Sequence, residues 1–197
     1  MSDEETLRVY ARRASDYAER FAGGSDQNPQ LEAFIAALPD GGTVLDIGCG
    51  PGFSSSIMAD AGLQVTAMDP VPEMVALASR HPRVTTRVAG FDDIGGTDLY
   101  DGIWANFSLL HAPRHAMPGH LAAIAEALRP GGVFHIGMKT GAGAQRDPIG
   151  RLYTYYTDTE LTGLLADVGL SVTDRATGRE KGLDGVEADW ICLAARG

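Results

Sequence analysis

Cysteine is nearly absent. Two residues, Cys49 and Cys192, in a chain of 197 are too few for a disulfide framework or a cysteine-rich metal cluster, and they point to a reducing, cytoplasmic setting. Long apolar runs are missing too. None approaches the roughly 18 residues that cross a bilayer, so no membrane partner is expected. The opening stretch MSDEETLRVYARR is charged and lacks the apolar core of a secretion signal. Positive charge is in short supply, with 16 Lys and Arg against 26 Asp and Glu and a formal net charge of -10. Nucleic-acid binding relies on neutralising phosphates with Lys and Arg, so this balance weighs against a nucleic-acid partner while leaving room for a local basic channel. No Ser–His–Asp order and no metal-spaced histidine pair stands out, and no metal is expected. There is no internal repeat, no low-complexity stretch and no compositional break, so residues 1–197 read as one domain, with residues 1–42 as an amino-terminal helical cap.

What the chain does have is alternation. Residues 4–22 carry Leu7, Tyr10, Ala14, Tyr17, Ala18 and Phe21 at helical steps. GGSDQNP breaks that helix, and PQLEAFIAAL restarts one with Pro29 in its first turn. TVLDIG reads as a buried strand, FSSSIMADAG as a helix, LQVTAMD as a strand and PEMVALASRH as a helix. RVTTRVAG and YDGIWANFSLL are two further strands. HAMPGHLAAIAEAL is a helix followed by Gly131 and Gly132, and VFHIGMK is the fifth strand. After a long segment comes TDTELTGLLADVG, a helix opened by Thr157 or Asp158, and then two strands with no helix between them. Alternating strands and helices predict an α/β fold, a doubly wound, mostly parallel sheet of about seven strands with an antiparallel strand at its carboxyl end.

The glycines concentrate where such a sheet binds its ligand, at the carboxyl end of the first strand. VLDIGCGPG, residues 44–52, sets Gly48, Gly50 and Gly52 just after an apolar run. Glycine permits positive φ and leaves no Cβ in a ligand's way. A dinucleotide site would use G-x-G-x-x-G. Here the glycine after Gly50 follows at two residues, and Pro51 removes a donor that a pyrophosphate would use. The Asp46 carboxylate would repel phosphate and suits a cationic ligand. These departures exclude a nucleotide-dependent oxidoreductase.

VLDIGCGPG resembles the first motif of the class I S-adenosylmethionine-dependent methyltransferases, which favour D/E-x-G-x-G-x-G in this turn. The resemblance runs from about Val44 to the carboxyl terminus. LRPGGVFHIGMK is similar to the segment entering the family's fifth strand, and the helix-free final pair to its antiparallel seventh. It implies a Rossmann-like fold and S-adenosyl-L-methionine as methyl donor, with S-adenosyl-L-homocysteine as product. Asp46, Gly48, Cys49, Gly50 and Gly52 would form the donor turn. Asp69, ending QVTAMD before Pro70, would hold the ribose hydroxyls; its other reading is a plain helix cap. The family's D-A pair after the third strand is replaced by AGFDDI, so that Phe91 and Asp92 share the adenine role between them. Asn106 and Phe107, ending the fourth strand, would face the transfer centre. Cys49 has no neighbouring His or Lys in sequence to activate it and reads more as packing than as a nucleophile.

Methyl transfer needs positioning and, for some acceptors, a base. His111 is the candidate base or acceptor contact, with a helix cap or surface role as its alternative. Tyr17 would help fix the donor and Tyr10 would touch the acceptor, unless both merely pack. Residues 139–156, KTGAGAQRDPIGRLYTYY, leave the fifth strand with Lys139, Arg146, Arg151, Tyr153 and Tyr155, and glycines at 141, 143 and 150 permit a hinge. They read as an acceptor-binding lid favouring an anionic or aromatic molecule, or else as a surface loop with structural tyrosines. The expected activity is methylation of a small-molecule acceptor. Methylation of RNA or a protein side chain, or a catalytically silent donor-binding module, are the alternatives, and a monomer and a homodimer are both open.

Overall fold

The protein is described from a computed structural model covering residues 3–21 and 28–197. Its elements in chain order are α1 (Glu4–Arg12), α2 (Ala14–Phe21), α3 (Pro29–Ala36), β1 (Thr43–Ile47), α4 (Phe53–Asp60), β2 (Gln64–Asp69), α5 (Pro72–Ala78), β3 (Val84–Val88), β4 (Tyr100–Asn106), α6 (Met117–Ala127), β5 (Leu128–Lys139), β6 (Ala144–Arg146), β7 (Leu152–Thr154), α7 (Asp158–Asp167), β8 (Ser171–Lys181) and β9 (Glu187–Arg196). Seven strands form one sheet in the order β3-β2-β1-β4-β5-β9-β8. All pairings from β3 across to β5 are parallel, and β9 runs antiparallel to both β5 and β8. The expected mostly parallel sheet of seven strands with an antiparallel strand near the chain's end is what the structure has.

Continuous apolar runs make the central strands because both faces are covered. Val44, Leu45 and Ile47 on β1 and Ile103, Trp104 and Ala105 on β4 are all buried. On one face α6 and α7 bring Leu121, Ile124, Leu161 and Leu165 against Leu45, Ile103 and Phe134. On the other, Leu31 and Phe34 of α3 and Met58 of α4 pack on Val44, Val65 and Trp104. Each such fully buried apolar side chain contributes about 1.5–3 kcal/mol. Local signals set the helix starts. Asn28 caps α3 and Thr157 caps α7, where Glu160 returns a bond to the Thr157 N–H and completes a capping box.

Three differences from the sequence reading matter. The single helix expected over 4–22 is two, broken at Arg13, whose backbone leaves helical geometry; no glycine or proline marks the break. Of the stretch GGSDQNP, residues 23–27 lie outside the described residues. The amino-terminal cap also divides. α1 and α2 lie over the carboxyl end of the sheet, whereas α3 packs against the sheet's back, with Phe34 and Trp104 rings 5.1 Å apart. The strand expected from Val133 begins at Leu128, since the backbone from Leu128 onward already pairs beside Tyr100.

Candidate active site

The glycine turn is braced from below. Gly48 N–H and Cys49 N–H both donate to the Met68 carbonyl, at 2.8 and 3.0 Å. Gly50 N–H donates to Asp69 Oδ2 at 3.0 Å, and Val71 N–H to Asp69 Oδ1 at 2.9 Å. Gly48 and Gly50 both stand at positive φ, 68° and 53°, where other residues are strained. A Cβ on Gly48 would also lie 2.4 Å from that of Ser108. Asp69 is 8% exposed, and burial pushes its carboxyl up to about 6 against the pull of its two backbone donors. Asp46 lies deeper and takes a hydrogen bond from Ser55 Oγ. Desolvation pushes it up to about 7.

Two clefts open at this end of the sheet. One, about 570 Å³ counting space open to solvent, lies between Gly48, Gly50, Asp69, Pro70, Phe91 and Ser108, roofed by Leu7, Tyr10 and Tyr17. The other, about 640 Å³ counted the same way, lies between Lys139, Tyr153, Trp190 and the β8–β9 turn. Tyr10, Tyr17 and Phe107 line both. Phe107 itself is strained, a non-glycine at φ 53°. Such residues cost about 1–3 kcal/mol and gather at functional sites. Its N–H donates to Gly137 O at 3.0 Å, and Gly137 has no room for a side chain, since a Cβ would sit 2.5 Å from Asn106 Oδ1.

A buried polar chain closes the roof. A backbone carbonyl only accepts, so the contact of His111 Nδ1 with Leu152 O at 2.7 Å puts the ring proton on Nδ1. Nε2 therefore accepts from Tyr10 O–H at 2.9 Å, and Tyr10 Oη accepts from Arg151 at 3.1 Å. Arg151 is anchored by Asp147, with side chains 3% and 5% exposed. Burial, helped by the Arg151 charge, pushes His111 down to about 4. Leu152 N–H also donates to Thr6 Oγ at 2.8 Å, so α1 is stitched to β7 along its inner face.

A family model described as a methyltransferase domain matches residues 44–132. A ubiquinone biosynthesis O-methyltransferase of Xanthomonas axonopodis pv. citri is 32% identical over 171 residues, covering 75% of this chain and 71% of that protein. The chain belongs to the class I S-adenosylmethionine-dependent methyltransferases. Other relatives of that description, from the same genus, align over about half of their own length. A SAM-dependent methyltransferase structure from Methanosarcina mazei shares the fold, with a TM-score of 0.75 at 19% identity, over 87% of this chain and 98% of that one. The 1,6-didemethyltoxoflavin-N1-methyltransferase of Burkholderia thailandensis, whose structure holds 1,6-didemethyltoxoflavin and S-adenosylhomocysteine, is 26% identical with a TM-score of 0.68. That match covers 97% of this chain and 89% of that one.

S-adenosyl-L-methionine is thus the methyl donor of this enzyme. The first cleft fits a polar ligand on its own evidence: Ser108 Oγ is buried there without a hydrogen-bond partner, and each Asp69 oxygen retains a lone pair beyond its backbone bond. A third, open hollow borders the same turn and is lined by Tyr17, Asp46, Gly48, Cys49, Gly50 and Asn106. The methyltransferase family pattern therefore drew together residues that the fold also draws together.

Several expected site residues stand elsewhere or are already engaged. Gly52 packs away from the clefts, where a Cβ would meet Ala78 at 2.7 Å; it seats α4 on α5. Asp92 is exposed and outside the cleft lining, while its neighbour Phe91 is buried and within it. The Cys49 thiol is pushed up by burial and by the Asp46 and Asp69 charges, which suits packing. His111 has both ring nitrogens bonded, so it is not a free base. Arg146 turns outward to Asp3 at 2.9 Å and Glu5 at 3.2 Å. Arg151 is held by Asp147, and Tyr155 lies outside both clefts. Within 139–156 only Lys139, Arg151 and Tyr153 line the second cleft. The sequence reading missed Val71, Met74 and Ser108 in the first cleft and Trp190, Lys181 and Leu183 in the second. Ser108 follows Phe107 directly and was findable from the strand end. The residues of the last hairpin carry no local signal.

Proposed function

We propose that this methyltransferase transfers its donor's methyl group to a small-molecule acceptor bound in the second cleft. The observation that carries the proposal is the pair of clefts that meet at Tyr10, Tyr17 and Phe107 beside the glycine turn, each a concave site walled by rings with a few polar groups. The named activities of the relatives, methylation in ubiquinone biosynthesis and of a toxoflavin precursor, support a small acceptor over a macromolecule. The net charge of -10 supports the same choice.

In this reading Asp69 accepts hydrogen bonds from the donor's ribose hydroxyls while its backbone bonds keep the glycine turn in place. Phe91, Val71 and Met74 form the apolar wall for its base. Gly48, Gly50, Asn106 and Tyr17 surround its amino-acid end, and the Ser108 hydroxyl gains the partner it otherwise lacks. The bound donor supplies a methyl group already activated on a sulfonium. The protein's contribution is then mainly orientation and exclusion of water, and Tyr10 and Phe107 stand at the boundary where the two substrates meet. Asp46, beneath the turn, favours a ligand with positive charge. The two free cysteines support a cytoplasmic setting.

Calorimetry with S-adenosylhomocysteine tests the donor half of the reading, and release of S-adenosylhomocysteine from a metabolite panel tests the acceptor half. No binding at millimolar ligand refutes the donor site. Turnover of RNA or protein with none of any metabolite refutes the small acceptor.

A further inference from the structure

The chain contains only two lysines, Lys139 and Lys181, and both line the second cleft. The remaining basic residues are arginines, and those nearest the cleft are committed within the protein, Arg151 to Asp147 and Arg146 to Asp3 and Glu5. Lys139 is different. It ends β5, at the carboxyl edge of the sheet beside Asn106 and Phe107. Its ammonium lies 4.2 Å from the centre of the Tyr153 ring, and among the described residues no carboxylate lies within ion-pair distance of it. Asp184 and Asp147 act on it only from farther away, and Arg151 opposes them.

The other walls are rings. Phe107 and Trp190 meet edge to face at 6.4 Å, and Tyr10 and Tyr17 at 5.9 Å. Such walls favour a planar guest. The one carboxylate of the lining, Glu180, is exposed at the cleft's edge, and His111 has its Nδ1 on Leu152 and its Nε2 on Tyr10. An acceptor that must lose a proton during transfer would find no buried base free to receive it. An acceptor that arrives ionised would need only a cation.

Resting on the methyltransferase reading above, we propose that the second cleft takes a planar aromatic acceptor as its anion, a phenolate or an aromatic carboxylate, with the ionised oxygen held on the Lys139 ammonium. The acceptor's proton leaves to solvent on binding. An oxygen lone pair then forms the new O–C bond while the C–S bond breaks with its electrons left on sulfur, so charge is annihilated and no proton moves in the transfer. Lys139 is the specificity-determining residue. It holds the nucleophile in its reactive form, and burial, which lowers its own pKa, strengthens its hold on an anion.

The test uses 4-nitrophenol, whose anion is coloured, with wild type, Lys139→Met and Lys139→Arg in saturating S-adenosylhomocysteine. Wild type should lower the apparent pKa of bound nitrophenol by about one unit or more. Lys139→Met should bind it at least about tenfold more weakly and lose the shift, and Lys139→Arg should retain most of both. 4-Nitrobenzoate should follow the same order if carboxylates are also taken, and nitrophenol alone should follow it if the site is confined to phenolates. Neutral 4-nitrobenzyl alcohol should bind wild type and Lys139→Met alike. Binding of the alcohol as tight as that of either anion, no binding of either anion, or an unshifted response to Lys139→Met would overturn the proposal. Calorimetry with S-adenosylhomocysteine separates the cases. Its failure in wild type refutes the donor site instead, and its loss in Lys139→Met alone would move Lys139 to the donor cleft and overturn the assignment.

Discussion

Replacing Asp69 by Asn changes one atom's chemistry at the centre of the donor cleft. In the wild type both carboxylate oxygens accept backbone N–H groups, from Gly50 and Val71. An amide can accept only one and turns its NH₂ toward the other. That leaves one backbone N–H unpaired, at a cost of about 1–3 kcal/mol. Against this, burial raises the carboxyl to about 6, so holding it ionised at neutral pH costs about 3 kcal/mol, two units at about 1.4 each. The terms nearly cancel, and the free variant should melt within about 2 kcal/mol of wild type. Donor binding has no such compensation. Two hydroxyls lose a charged acceptor, a loss of about 2–4 kcal/mol or roughly 30- to 1000-fold in affinity. The pH profile gives a second readout. Binding favours the carboxylate, so below the raised pKa it must release a proton, and the Asp69 contribution to wild-type affinity should climb up to about tenfold per pH unit until about pH 6, leaving only a shallower slope from Asp46 above it. Asp69→Asn should lose that break and keep only the shallower slope due to Asp46, whose carboxyl burial pushes up to about 7. Calorimetry with S-adenosylhomocysteine between about pH 5 and 8 measures both. A wild-type profile flat across that range, or a variant that binds as tightly as wild type, would show that Asp69 serves only the turn.

Tyr10→Phe removes the hydroxyl between His111 and Arg151 and leaves the His111 Nε2 buried without a partner, at a cost of about 1–3 kcal/mol. Hydrogen exchange should rise in α1 and leave β4 unchanged; uniform protection would mean the chain of bonds does not hold the roof. Gly178→Ala puts a methyl 2.4 Å from Trp190 Cζ2, which forces that ring to swing. Acceptor KM should rise several-fold with unchanged S-adenosylhomocysteine affinity, and an unaltered KM would remove Trp190 from the acceptor wall.

The sheet was readable in the sequence because its signals are local. An apolar strand core and a helix start recur within each stretch of roughly 25 residues, and parallel order follows from the alternation. The glycine turn was readable for the same reason, and Asp69 because it ends the second strand. What sequence could not supply was partnership. Arg146 and Arg151 were expected to face an acceptor because they are cations in a glycine-rich segment, yet their partners are Asp3 and Tyr10, more than 140 positions away. Asp147, only four residues off, buries Arg151, and nothing in the spacing told that pair from a solvated one. Gly52 fits the motif as well as Gly48 does, but its turn faces Ala78. Trp190 belongs to a strand whose pattern fixes its face and not the cleft above it.

The stitches between α1 and the β6–β7 hairpin also order events in time. Thr6 to Leu152, Asp3 to Arg146 and Tyr10 to Arg151 each close a loop of well over a hundred residues, and such closures come late because their entropy must be met before they return anything. During synthesis α1 emerges before the sheet and has no partner from β7 until more than 140 further residues have followed it. The sheet's central strands, whose pairings are shorter in sequence, can form meanwhile. The cleft is therefore assembled after the scaffold, and a nascent or truncated chain ending before residue 146 would carry the glycine turn and Asp69 without a roof over them.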